Sequence, residues 1–224
     1  MAKRPRKSKK TQEKRGTNWI LIGGVIFVGV LGLFALLFLA LRSPGAEEAV
    51  TLAEYCTQNE DRCVELGADE APITFVEVSD FGCPHCRDFH QEKSTPIKEN
   101  YVDTGQVKWV FVPYALRAET VPAASAALCA NEQDKYLDFS DALFSLPTEV
   151  GLTRDGFVSA AEEVGLAIDD FESCLQDGRY NETISSNQDA ARAARVSGTP
   201  TFFINNQMVS GNVPLAELER LFNQ

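Results

Sequence analysis

The sequence predicts an α/β domain whose mixed sheet is interrupted by an all-helical insertion, behind one N-terminal transmembrane helix. Three observations predict this arrangement. A stretch without charge, WILIGGVIFVGVLGLFALLFLAL, follows a basic N-terminal tail. Two runs rich in β-branched and aromatic residues, PITFVEVSDF and QVKWVFVPY, flank a helical segment. A block of helical sequence then separates these runs from a final strand pair and an amphipathic helix.

The uncharged stretch has the length of a membrane span. Its apolar residues, rising about 1.5 Å each, cross a hydrocarbon core of about 30 Å. We therefore predict a transmembrane signal anchor at residues 18–41, with Trp19 at the interface. Residues 1–17 carry eight Lys/Arg and one Glu, so the positive-inside rule places this tail in the cytoplasm and the remainder outside the cell membrane. A cleaved signal peptide is the alternative, but its apolar region is normally shorter, about 7–15 residues.

Composition and charge describe a globular exported part. The chain of 224 residues is 44% hydrophobic and 24% charged, which suffices for a packed core. After residue 17 the chain is strongly acidic, with thirteen Lys/Arg against thirty-one Asp/Glu. A basic tail can bind nucleic acid or anionic lipid; because a membrane span adjoins it here, we expect no nucleic-acid partner.

Six cysteines lie in the exported part, where disulfides persist. Sequence alone cannot choose among the possible pairings, but spacing suggests three. The suggested pairs are Cys56 with Cys63, Cys83 with Cys86, and Cys129 with Cys174. Cys129 and Cys174 have a second interpretation as small buried hydrophobes.

The first half of the exported part reads as a linker followed by a β-α-β unit. Residues 42–70 form a linker and N-terminal extension, in which TLAEYCTQNEDRCVELG is a short helix or hairpin, so we place the main domain at residues 71–224. A strand at 72–81 is followed by a helix that Pro96 should kink or split. A second strand at 106–114 then favours a parallel pair with a right-handed crossover.

The second half is helical and then returns to strand. An insertion at about residues 117–195 is Ala-rich at its start and broken by Gly and Asp into successive helices. PTFFIN (200–205) and QMVSG read as two strands around a turn at Asn205 and Asn206. PLAELERLFNQ closes the chain as an amphipathic helix.

Cys83 and Cys86 form a C-x-x-C pair directly after the first strand. A zinc site could use both with His90, but structural zinc takes four ligands, and the only other histidine is His85 inside the loop. His90 itself reads as a surface or packing residue, and we expect no metal. A purely structural disulfide is a further alternative, but a disulfide that closes so short a loop constrains little of the unfolded chain. The pair therefore reads as a dithiol/disulfide redox centre, which needs no separate cofactor.

The position of Cys83 favours its thiolate. If a helix starts at Pro84 or His85, Cys83 lies at its N-terminus, where free N–H groups and the helix dipole stabilise negative charge. Pro84 suits the first turn because it has no N–H to lose. His85 adds a donor or a positive charge beside the sulfur. A stabilised thiolate favours the reduced form and makes the disulfide a stronger oxidant, with Cys86 as the more buried partner sulfur.

FGCPHC after ITFVEVSD, a helical block and then VSGTPTFFIN together resemble the DsbA-type thiol–disulfide oxidoreductases of the thioredoxin superfamily. The resemblance covers about residues 70–224 and is strongest to membrane-anchored bacterial members. It implies a thioredoxin fold and a cis peptide bond before Pro200, with the backbone of Thr199 pairing with a client peptide. It also implies a buried acid at Glu77 that exchanges protons with the buried sulfur. An outward-facing strand residue is the alternative for Glu77.

The resemblance implies an enzyme that donates the Cys83–Cys86 disulfide to exported proteins with free cysteines. It further implies a membrane redox partner that reoxidises the pair, and we expect the protein to be a monomer. Two alternatives stay open. Thr199 before the proline is similar to the isomerases and also to the Gram-positive-type oxidases of the family, so a reductase or isomerase could use the same fold. A tethered chaperone or binding module that does not use the cysteines is the other.

Overall fold

The computed structural model describes residues 24, 27, 29–34 and 51–224. The chain divides into two units, Met1–Glu48 and Ala49–Gln224. In the first unit the described residues are helical and exposed. No helix among the described residues is both long and apolar enough to cross a membrane. The predicted anchor at 18–41 and the basic tail at 1–17 lie largely outside the described residues.

The second unit is built on one five-stranded mixed sheet of spatial order β1-β3-β2-β4-β5. The central strands β2 and β3 are parallel, and the other three pairings are antiparallel. The strands are β1 (Val64–Leu66), β2 (Ile73–Ser79), β3 (Val107–Pro113), β4 (Thr201–Ile204) and β5 (Gln207–Ser210). β2 and β3 are mostly buried, as parallel strands covered on both faces must be.

Ten α-helical segments surround the described sheet. They are α1 (Leu52–Gln58), α2 (Pro84–Phe89), α3 (Thr95–Ile97), α4 (Val121–Asn131), α5 (Tyr136–Ser145), α6 (Thr148–Gly151), α7 (Arg154–Glu163), α8 (Ile168–Asp177), α9 (Asn181–Ala193) and α10 (Leu215–Phe222). A 3-10 turn at Ala118–Thr120 precedes α4. The segments α4 to α9 are the predicted all-helical insertion, placed between β3 and β4.

The crossover from β2 to β3 is one helical run from Pro84 to Val102. α2 passes into a π-helical turn at His90–Ser94, then α3, then a second π-helical turn at Lys98–Val102. Pro96 does not split this run, because the residues on both sides of it keep helical backbone angles. The run is not a regular α-helix here, since wider π-helical turns lie on each side of Pro96, and the expected kink stays a prediction.

The segment before β2 belongs to the sheet unit. β1 pairs antiparallel with β3 at the sheet edge, and Thr51 caps α1 through a reciprocal pair of hydrogen bonds with Glu54. The predicted domain start at residue 71 therefore comes too late. The helix and the strand of this extension are joined by a Cys56–Cys63 disulfide with a Cα–Cα distance of 5.5 Å.

Two apolar clusters cover the two faces of the sheet. On one face Phe75 contacts Trp109, Phe202 and Phe222, with ring centroids 5.2–5.3 Å apart. On the other face α1 and α9 pack over a second cluster of small side chains, chiefly valines of β2 and β3. The insertion is stapled by a Cys129–Cys174 disulfide between α4 and α8, with a Cα–Cα distance of 5.8 Å.

Candidate active site

The cysteine pair lies where β2 passes into α2. Cys83 is the N-cap residue of α2, with an extended backbone, and Pro84 occupies the first helical position. The Cys83 carbonyl accepts the first intrahelical hydrogen bond from Arg87 N at 3.1 Å. The sulfur of Cys83 is thus presented at the amino end of the helical run, as the sequence predicts. Both cysteines are present as thiols.

The two sulfurs have opposite environments. Cys83 is half-buried, and a hydrogen bond from the Cys86 thiol, partly opposed by burial, lowers the pKa of Cys83 to about 5. The Thr199 side chain and the backbone N–H groups of Cys86 and His85 lower it further. Cys86 is fully buried, and burial raises its pKa far above the ordinary thiol value. The pair therefore has one half-buried sulfur that favours the thiolate and one fully buried sulfur that favours the thiol.

The loop before β4 completes the surroundings of Cys83. The Thr199–Pro200 peptide bond is cis, and Cys83 Sγ lies 3.2 Å from the Thr199 carbonyl oxygen, which accepts a hydrogen bond from Cys83 only when the sulfur is protonated. Residues more than a hundred positions apart in sequence therefore meet at the sulfur. Pro84 and His85 are exposed on the first turn of α2, and His85 contributes its backbone N–H toward Cys83 rather than a side-chain contact.

Glu77 is buried in the middle of β2, with 1% of its surface exposed, so the outward-facing alternative is wrong. Its carboxylate accepts a hydrogen bond from Trp109 Nε1 at 3.0 Å and another from the Ser79 hydroxyl. His90 Nε2 lies 2.9 Å from Glu77 Oε1. Proton exchange between Glu77 and Cys86 stays a prediction.

His90 is 4% exposed, so its interpretation as a surface histidine is wrong. The packing alternative holds, since its ring stacks on Phe144 with centroids 4.4 Å apart, but the side chain also has an ionic role. Its Nδ1 lies 2.7 Å from Asp141 Oδ1 in α5, so the ring bridges two carboxylates. Burial alone would lower the pKa of His90, but Glu77 and Asp141 together raise it to about 10. A charged imidazolium therefore balances Glu77. The available sequence signal was spacing, because a residue four positions after Cys86 shares its helix face.

Sequence reasoning also missed Asp80, which is 1% exposed just after β2. Its backbone N–H faces Cys86 Sγ at 3.5 Å. No group of three or more His, Cys, Asp or Glu suited to a metal ion occurs among the residues that the structure describes.

An asymmetric dithiol at a helix N-terminus, on a mixed sheet and beside a cis-proline, defines the class of thiol–disulfide oxidoreductases. The chain belongs to the thioredoxin family, since the family model described as Thioredoxin matches residues 58–224. The chain is 25% identical to the probable disulfide bond formation protein D of Bacillus cereus over 203 residues, which cover 87% of this chain and 92% of that protein.

Two solved structures show the same fold. The DsbA structure from Chlamydia trachomatis matches with a TM-score of 0.65 and 22% identity, over 71% of this chain and 89% of that one. The oxidised BdbD structure from Bacillus subtilis matches with a TM-score of 0.63 and 22% identity, over 71% and 90%. These comparisons confirm the DsbA-like thioredoxin fold with a helical insertion.

The depressed pKa of Cys83 predicts a thiolate at neutral pH. Absorbance of the reduced protein at 240 nm should rise with a midpoint near pH 5, and Cys83→Ser should abolish this step. The alkylation rate of Cys83 by iodoacetamide should stay nearly constant above pH 6 and fall below pH 5. A midpoint near the ordinary cysteine value of about 8.5 would contradict the geometry described here.

The raised pKa of His90 predicts a pH-dependent stability. A histidine whose pKa is higher in the folded protein than in the unfolded chain stabilises the folded state. This contribution is fully present below the unfolded pKa of about 6.5 and is lost as the pH rises through the pKa of the folded protein. The free energy of unfolding in urea should therefore fall between pH 7 and pH 10.

His90→Leu should remove this pH dependence and lower stability by about 3–5 kcal/mol at pH 7, because it leaves Glu77 buried without its counter-charge. Asp141→Asn is the matched control, since the Asp141 side chain is 33% exposed and its loss should destabilise less. An unchanged slope in His90→Leu would assign the pH dependence to another group.

Proposed function

We propose that the protein is an oxidase that donates the Cys83–Cys86 disulfide to exported proteins with free cysteines. The asymmetry of the pair is the observation that carries this proposal. A half-buried sulfur with a low pKa is open to a client, whereas the fully buried Cys86 is shielded from it. Because the low pKa stabilises the reduced form, the disulfide gives up its oxidising equivalents readily.

The exchange proceeds in two steps. A client thiolate attacks Cys83 Sγ of the disulfide, which forms a mixed disulfide and expels Cys86 as a thiolate that then takes a proton. The second client thiolate attacks the client sulfur of the mixed disulfide. This step forms the client disulfide and releases Cys83, whose low pKa makes it a good leaving group. Two electrons pass from the client to the pair.

The surroundings of Cys83 suit an extended client segment. The Thr199 carbonyl lies beside the sulfur, and its neighbouring backbone supports pairing with a client chain. Leu116 is 49% exposed, and its N–H bonds to Asp80, next to the cysteine loop. Such an apolar side chain suits an unfolded client.

A trapping variant tests exchange at Cys83, and the redox potential tests the direction of electron flow. In Cys86→Ala the Cys83 thiolate can still attack a client disulfide, and mixed disulfides with exported proteins should accumulate because Cys86 can no longer attack Cys83 and release the client. The redox potential of the purified wild-type protein should be near that of the oxidase DsbA, about −120 mV, and not near that of thioredoxin, about −270 mV. A potential near −270 mV would favour the reductase or isomerase alternative.

A binding module makes a different prediction. If the Cys83→Ser, Cys86→Ser double variant keeps full function in cells, the protein acts on its clients without exchange. Turnover requires an oxidant that restores the Cys83–Cys86 disulfide, and we propose a membrane redox partner for this role.

We further propose that residues 18–41 tether the domain to the bacterial cell membrane, with the basic tail in the cytoplasm. The uncharged length of this stretch and the charge of residues 1–17 support the proposal. The full-length chain should stay in the membrane fraction after alkaline carbonate extraction. The variant Val28→Lys, Leu33→Lys should be released, since each lysine at mid-span costs about 2.5–3.5 kcal/mol. Release of the wild-type chain would show that it lacks an anchor.

A further inference from the structure

Asp80 makes contact with both halves of the cysteine pair. Its carbonyl accepts from Cys83 N at 3.0 Å, and its own N–H faces Cys86 Sγ at 3.5 Å. The residue is almost fully buried, with 1% of its surface exposed. Its backbone therefore belongs to the immediate surroundings of both sulfurs.

The Asp80 carboxylate ties this turn to the segment after β3. Oδ1 accepts from Gly82 N at 2.7 Å. Oδ2 accepts from Leu116 N at 2.6 Å and from the Thr120 hydroxyl at 2.6 Å. Three donors thus satisfy one buried carboxylate, which is the condition under which a protein retains such a charge. These bonds hold the cysteine loop against the start of the insertion.

Gly82 shows how closely the two segments approach. A Cβ atom built on Gly82 would lie 2.7 Å from Thr120 Cγ2 and 3.1 Å from Asp80 Oδ1. Both distances are shorter than ordinary van der Waals contact. The residue before Cys83 must therefore be glycine for the loop to lie this close to Thr120, independently of the hydrogen bonds.

We propose that Asp80 is the positioning residue of the Cys83–Cys86 pair. Its carboxylate clamps the turn of residues 80–83 against residues 116–120 and so fixes the N-terminal N–H groups of α2 around the Cys83 sulfur. This inference deepens the proposed function and rests on it, because the clamp acts by stabilising the reduced state that the oxidase must reach. In this proposal Asp80 acts through the cysteine loop and not by contact with a client.

The full-length chain carrying Asp80→Asn tests the clamp. The amide replaces one acceptor oxygen with an NH2 group, so at least one of the three donors loses its partner. The midpoint of the Cys83 thiolate absorbance should rise by about one pH unit. The equilibrium constant for oxidation of glutathione by the pair should fall about tenfold, which corresponds to about 30 mV for a two-electron couple.

Two further variants separate positioning from charge and from folding. Thr120→Val removes one donor and leaves the carboxylate, so its midpoint should rise in the same direction by a smaller amount. Asp88→Asn removes the same charge from an exposed position on α2 and should leave the midpoint unchanged. If Asp80→Asn does not fold, Thr120→Val decides alone.

The inference is overturned if the pH midpoint of the Cys83 thiolate absorbance is unchanged in Asp80→Asn. If only Thr120→Val folds, an unchanged midpoint in that variant overturns it. A lower midpoint in the variant that is measured overturns it too, since the Asp80 carboxylate would then act by repelling the thiolate. Failure of the proposed function is distinguishable, because neither readout uses a client. If the wild-type protein oxidises no client but the midpoint shifts as expected, the inference stands and the oxidase proposal falls.

Discussion

The four-residue connection from β2 to α2 is the constraint on which the rest of this structure depends. Residues 80–83 must end a central strand, begin a helix with Cys83 as its N-cap, and place Cys86 in the core one turn later. The turn is held by the Asp80 carboxylate and by the close approach of Gly82 to Thr120. The chemical asymmetry of the two sulfurs follows from this placement, since one faces solvent at a helix N-terminus and the other is enclosed.

The same region tolerates an unusual amount of buried charge. Glu77 lies in the middle of β2 and Asp80 directly follows its end, and each residue is 1% exposed. Each is satisfied differently: Glu77 by an imidazolium, an indole N–H and a hydroxyl, and Asp80 by two backbone N–H groups and a hydroxyl. If either set of partners is removed, an uncompensated charge remains in the core. The resulting loss of stability is far larger than the net stabilisation that the intact interaction provides.

His90 connects the helical run from Pro84 to Val102, which carries Cys86, to the helical insertion. The histidine lies at the start of the first π-helical turn and reaches Asp141 on α5, so the ion network connects the central strand, the crossover and the helical insertion. Ser94 reinforces this connection by donating to Asp141 Oδ2 at 3.0 Å. The insertion is therefore attached to the cysteine helix by charge as well as by apolar packing.

Short stretches of sequence were sufficient to predict most of the helices and strands. The runs around Phe75 and Trp109 are strands because β-branched and aromatic residues dominate them, and the parallel pairing follows from a helix between two strands. β1 escaped prediction because a three-residue strand has no pattern of its own and exists only through pairing with β3. The burial of Glu77 was predicted only through the family resemblance, because a strand covered on both faces shows no alternation that would tell inside from outside.

The sequence by itself determined the cysteine pair, the helix start at Pro84 and the thioredoxin-type order of elements, since each depends on residues adjacent in the chain. Only the tertiary structure decided which groups surround the sulfurs. Thr199 reaches Cys83, Leu116 and Thr120 reach Asp80, and Asp141 reaches His90, each across 36 or more positions. Electrostatic and hydrogen-bond energies depend on distance in space, and the sequence records only distance along the chain.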